Sequence, residues 1–166
     1  HKIELKLGIV GESAFAEETQ ELVHTFTRST KARGWHHQLK DEPGINLAYE
    51  YRKRYIFFNN WVDVIPKGSI DVGNVSTGAL TGATLRYGYN LPNDFHSNRI
   101  SSAGAVLPTN YKSKGLFSLY LFTTVTGYVI VRDIFLDGNT FKNSHSVDKK
   151  YYKGEIEFGA GISYKR

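Results

Sequence analysis

Residues 45–58 read INLAYEYRKRYIFF, and the fold turns on how they are placed. In an extended chain successive side chains point to opposite faces, so Ile45, Leu47, Tyr49 and Tyr51 share one side. Asn46, Glu50 and Arg52 share the other. Amide and charged groups gathered on the inward face would be costly in a dry core. The strand therefore predicts a wet interior behind an apolar outer wall, the pattern of an outer-membrane barrel.

Residues 2–10, KIELKLGIV, repeat the alternation, with Ile3, Leu5, Leu7 and Ile9 opposed to Lys2, Glu4 and Lys6. A soluble sandwich would bury the apolar side and a barrel would give it to lipid, and alternation alone does not separate them. Residues 78–91 set Thr81, Ala83, Leu85, Tyr87, Tyr89 and Leu91 against Gly82, Thr84, Arg86, Gly88 and Asn90. Gly82 and Gly88 leave room on the inner side for another element or a ligand. Residues 60–76 suggest a strand, a turn at Pro66–Lys67–Gly68 and a second strand. Residues 118–138 suggest a hairpin turning near Thr123 to Thr126. Residues 92–115 and 139–150 read as polar loops. The last strand, 151–166, puts Tyr152, Ile156, Phe158, Ala160, Ile162 and Tyr164 opposite Lys153, Glu155, Glu157 and Ser163. Seven or eight antiparallel strands follow, in an all-β, up-and-down transmembrane β-barrel or a large part of one. Residues 1–166 form a single β-barrel domain.

Composition narrows the reading. The net charge of +5 comes from scattered Lys and Arg, which suits a phosphorylated lipid surface and an ordinary basic protein alike. No recognition-helix pattern or aromatic RNA-binding motif supports nucleic acid, and nothing calls for an obligate protein partner. With no cysteine, disulfides and thiolate metal sites are excluded. No apolar run reaches the roughly eighteen residues of a membrane helix, which leaves barrel strands as the way to cross. Eleven Tyr and ten Phe fit the aromatic girdles of such a barrel. Met is absent and His1 comes first, so the chain reads as a processed product or a piece truncated at its N-terminus. An end on Arg166 rather than an aromatic residue points the same way for the C-terminus.

One stretch stands apart. Residues 13–30, SAFAEETQELVHTFTRST, predict a helix opened by Ser13 or Ala14 and ended by Gly34. Glu17 and Glu18 suit its first turn, and Arg28, Lys31 and Arg33 its far end. Gln20 and His24, four residues apart, fall on one helical face with Thr27 below them. Leu22, Val23 and Phe26 are expected to pack the neighbouring face against something apolar. An imidazole beside an amide is the natural place to look for proton transfer, although a helical His is more often structural.

Residues 7–24, 34–51, 68–95, 133–150 and the strand after them together resemble, in order, the lipid A 3'-O-deacylase (LpxR) family of Gram-negative outer-membrane enzymes. The resemblance implies a barrel with its active site between the wall and a short helix in an extracellular loop. It implies a calcium-dependent esterase (Ca2+ as cofactor) that removes the 3'-linked acyloxyacyl chain of lipid A, or lipopolysaccharide. Gln20 and His24 match the family's helical pair. His24 would be the general base toward water, and Gln20 would orient the imidazole, the water or the substrate. The family also uses an Asn-Asp pair and a hydroxyl residue from strands preceding His1, so this chain alone is expected to lack part of the calcium site and to be inactive. Glu42, ahead of Asp41, is the candidate carboxylate to bind the metal or to hold the groups that bind it. The competing assignment for Glu42 is structural, a carboxylate bonding loop amides before Pro43. His36 and His37 should diverge on an extended chain, and Asp148 with Lys149 and Lys150 would pin their loop or meet lipid phosphates. Arg52, Arg86 and Arg132 should face the lumen and pair with Glu50 and Asp133. The alternatives kept open are a non-catalytic barrel of the same family and a soluble lipid-binding β-barrel.

Overall fold

The computed structural model describes residues 1–30, 33–95 and 117–164. Its seven strands are β1 (Lys2–Val10), β2 (Glu42–Arg52), β3 (Tyr55–Phe57), β4 (Val62–Gly73), β5 (Ser76–Tyr89), β6 (Phe117–Asp133) and β7 (Tyr152–Tyr164). They form one antiparallel sheet in the order β1-β2-β4-β5-β6-β7, with β3 on β4 beyond the end of β2. Among the described residues the sheet does not close on itself, and β1 and β7 are its edges. Helix α1 (Ala16–Thr27) lies in the β1–β2 connection, and a one-turn helix α2 (Ile134–Asp137) follows β6.

The two faces are inverted relative to a soluble protein. Register carries one apolar row from Leu5 to Leu47 to Val72, and another from Tyr87 to Leu121 to Ala160. Leu5, Leu47, Val72, Tyr87 and Leu121 are all more than half exposed. The buried groups are largely polar: Asn46, Asp63, Thr84, Arg86, Ser118, Thr124 and Thr126. The apolar cluster on that inner side is small, Leu91 with Tyr120 and Phe122. Water would make such a surface costly, whereas lipid makes it the favourable one.

Three expectations are corrected. Residues 60–76 contain no turn at Pro66; β4 runs straight through it. Pro66 O accepts from Lys53 N, so the missing N–H of Pro66 faces the break between β2 and β3, and only the reciprocal bond there is forgone. Residues 123–126 do not turn either, and β6 is one strand of 17 residues. Thr-Thr-Val-Thr is β-branched throughout and favours extended backbone, and Thr124 joins Thr84 by a 2.8 Å hydroxyl bond. Leu91 leaves its expected outward row and is buried, because β5 ends at Tyr89 and left-handed Asn90 turns the chain inward. Of the loop expected at 92–115, residues from 96 onward lie outside the described residues.

Inner glycines make room for rings. A Cβ on Gly161 would sit 2.3 Å from Tyr120 Cζ, and one on Gly159 would sit 2.4 Å from Phe122 Cζ. Both rings lie across β7 where any side chain would displace them.

Candidate active site

Helix α1 is shorter than its sequence suggests, and its ends explain why. Ser13 does not cap it: the Ser13 amide and hydroxyl both donate to Asp41, at 2.8 and 2.6 Å. That clasp holds Glu12–Ala14 as a separate 3-10 turn, and Phe15 enters the helix in the left-handed conformation. The exit is a Schellman turn on Arg28 at φ 55°, with Ser29 N bonded to His24 O at 2.9 Å. Gly34 therefore ends nothing. Thr27 Oγ1 donates to Val23 O and meets the Ser29 hydroxyl at 2.9 Å.

The helix brings Gln20 and His24 together as expected, one turn apart and both half-buried. Among the described residues the expected apolar packing of its neighbouring face is not made: Leu22 is 72% and Phe26 90% exposed. The imidazole is oriented by the turn that follows it. His24 Nδ1 lies 2.7 Å from Thr30 O, and a carbonyl only accepts, so Nδ1 carries the proton. The basic lone pair of the neutral ring is then on Nε2.

Glu42 is buried, and its carboxylate is engaged. It accepts from Thr140 N at 3.0 and 3.1 Å, from Phe141 N at 3.1 Å and from Asn74 Nδ2 at 3.3 Å. The two backbone amides belong to the β6–β7 connection and the Asn74 side chain to the β4–β5 turn, rather than to the loop preceding Pro43. Among the described residues no three His, Cys, Asp or Glu side chains gather as a metal cage. The Glu42 oxygens are thus already taken up by amide donors.

The remaining candidates settle as follows. His36 and His37 do not diverge; they share a 3-10 turn, with rings 4.0 Å apart, and His37 meets His145 edge-on at 5.3 Å. Lys149 ties its loop to Asp137. Arg52 pairs with Glu50, but Arg132 bonds the carbonyls of Asn74 and Gly138 and the Thr140 hydroxyl, leaving Asp133 to cap α2. Arg86 is fully buried between Asp63 and Asp94, with Arg54 also on Asp63. Alternation placed Arg86 inside, but Asp63 was hidden in a segment read as strand–turn–strand.

No curated protein matches the chain. Among solved structures it is similar to LpxR from Salmonella typhimurium, at 21% identity and a TM-score of 0.70, over 98% of this chain and 55% of that one. The chain thus spans about half the length of that structure, and the likeness establishes the fold. The family described as Outer membrane protein LpxR matches residues 1–166. On that match the chain, with its apolar outer wall and polar inner one, belongs to the LpxR family of outer membrane proteins.

Proposed function

We propose that the chain is part of an outer-membrane esterase that removes the 3'-linked acyloxyacyl chain of lipid A, with His24 as general base. The observation that carries this reading is the 2.7 Å bond from His24 Nδ1 to the Thr30 carbonyl. It fixes the tautomer in which Nε2 accepts a proton, the job that a carboxylate or carbonyl does for a catalytic imidazole elsewhere. Water on the Nε2 side gives up a proton as its oxygen bonds to the ester carbonyl carbon. Collapse of the tetrahedral species breaks the bond to the sugar oxygen, and the imidazolium returns the proton to that oxygen. Gln20, one turn away on the same half-buried face, supplies an amide to orient the water or the carbonyl. Calcium is what the family resemblance implies, and no step of this reading runs through it.

The test is deacylation of purified lipid A by the full-length protein, followed by mass spectrometry with and without calcium. Loss of the acyloxyacyl mass, abolished by His24→Ala, is the expected result. A folded, membrane-inserted protein that never removes the chain would mark a non-catalytic member of the family instead.

A further inference from the structure

A cavity of about 540 Å³ lies above the end of β1, bounded by the 9–16 segment, the Trp35–Leu39 turn and the loop after α2. Neither Gln20 nor His24 lines it. Ala16 does, and the helix carries His24 about 12 Å further along at 1.5 Å per residue, so this is a different place from the imidazole. Its lip is apolar and open. Ile9 is 50%, Phe135 73% and Val147 61% exposed, and all three line the cavity. Ile9 also ends the outward row Ile3, Leu5, Leu7, Ile9, the row that an outer membrane protein turns to lipid. The membrane-facing surface therefore runs without a break into the cavity. Its polar lining, His37, Gln38, His145 and Ser146, comes from the two overlying connections.

We propose that this cavity binds one acyl chain of a bilayer lipid, which enters from the membrane side past Ile9 and packs against Leu39, Phe135 and Val147. The size lies within the range of small-molecule sites, and continuity with the lipid-facing wall selects a membrane acyl chain over a soluble ligand. The site would tether the α1 connection and the β6–β7 connection to the outer leaflet, whether or not His24 acts as a base.

Trp35 forms part of the cavity wall and gives the measurement. The full-length protein, with Trp61→Phe and any other tryptophan replaced, is reconstituted into vesicles of phosphatidylcholine with brominated or ordinary acyl chains. A brominated chain seated in the cavity is in van der Waals contact with its wall, so Trp35 emission should fall by about half or more relative to ordinary vesicles. Ala16→Leu and Ser146→Leu, which fill the cavity from two sides, should each restore the emission while strand circular dichroism is unchanged. Equal emission in the two kinds of vesicle overturns the proposal. So does quenching that survives both filling variants, because it would then come from bulk bilayer. Quenching by brominated fatty acid in detergent but not by brominated bilayers also refutes it. The readout involves no hydrolysis, and His24→Ala should quench like the parent, so failure here and failure of the esterase reading are told apart.

Discussion

Replacing Glu42 separates two roles for one carboxylate. Its oxygens accept from the amides of Thr140 and Phe141, two charge-assisted bonds of roughly 1.5–3 kcal/mol each. Their gross sum is about 3–6 kcal/mol, but Thr140 and Phe141 are exposed, so freed amides regain water and the net local cost of Glu42→Ala falls to about 2–4 kcal/mol. Glu42→Gln keeps one carbonyl acceptor and turns an NH2 toward a donor, so it should cost about half as much. The assay is amide hydrogen exchange at Thr140 and Phe141 in the full-length protein. With tenfold per 1.4 kcal/mol, exchange at both should accelerate by about 30-fold to several hundredfold in Glu42→Ala, with Gln between. Exchange equal to the parent in both variants would refute the loop-holding role. If, instead, calcium slowed exchange at these amides in the parent and not in Glu42→Gln, the carboxylate would be reassigned as a metal ligand.

Other expectations follow from the same geometry. His24→Ala should lower deacylation by about 10²-fold or more with heat-modifiable mobility retained, and near-parent activity would remove His24 as the base. Removing Arg86 (Arg86→Met) leaves Asp63 and Asp94 buried with an incomplete set of partners and should cost about 3–5 kcal/mol in urea titration, while a loss near zero would mean that water reaches them freely. Arg28→Gly relieves a left-handed residue and should gain about 1 kcal/mol, without changing the His24 tautomer seen by nitrogen chemical shifts. The Asp41 carboxyl is held below the usual range by the Ser13 hydroxyl and amide, and that of Asp137 by the Asp133 amide and the Lys149 ammonium. A depressed carboxyl contributes stability above its unfolded value and loses it as pH falls, so the loops should stay tied down to about pH 4 and loosen only below it, as followed by loop amide exchange.

Much of the wall was legible because period-two alternation is a local property. Ile45 to Tyr51 outside and Asn46 to Arg52 inside need no knowledge of neighbouring strands, and the Tyr152–Tyr164 row was as readable. Pro66 misled because its tolerance depends on a gap between two other strands, which no window around Pro66 reveals. The end of α1 was hidden because its left-handed residue is Arg28, where a glycine would have signalled the turn. The helical pair Gln20 and His24 could be found from spacing alone. The Thr30 carbonyl that orients the imidazole could not, since it depends on the chain reversing after Arg28.

The three residues before and at the start of β2 do more than join a loop to a strand. Lys40 exchanges two backbone bonds with the Asn139 side chain at 2.9 and 2.7 Å. Asp41 holds Ser13 at the approach to α1, and Glu42 holds Thr140 and Phe141. Consecutive side chains diverge in an extended segment, so Asp41 and Glu42 reach opposite ways: one to the connection carrying His24, the other across to the β6–β7 connection. These bonds tie both connections to the start of one strand. Asp41→Ala should therefore free the start of α1 while leaving Thr140 protected, and Glu42→Ala should do the reverse. Loss of protection at both places in either single variant would mean that the two connections open as one unit, and the separate-clasp account would fail.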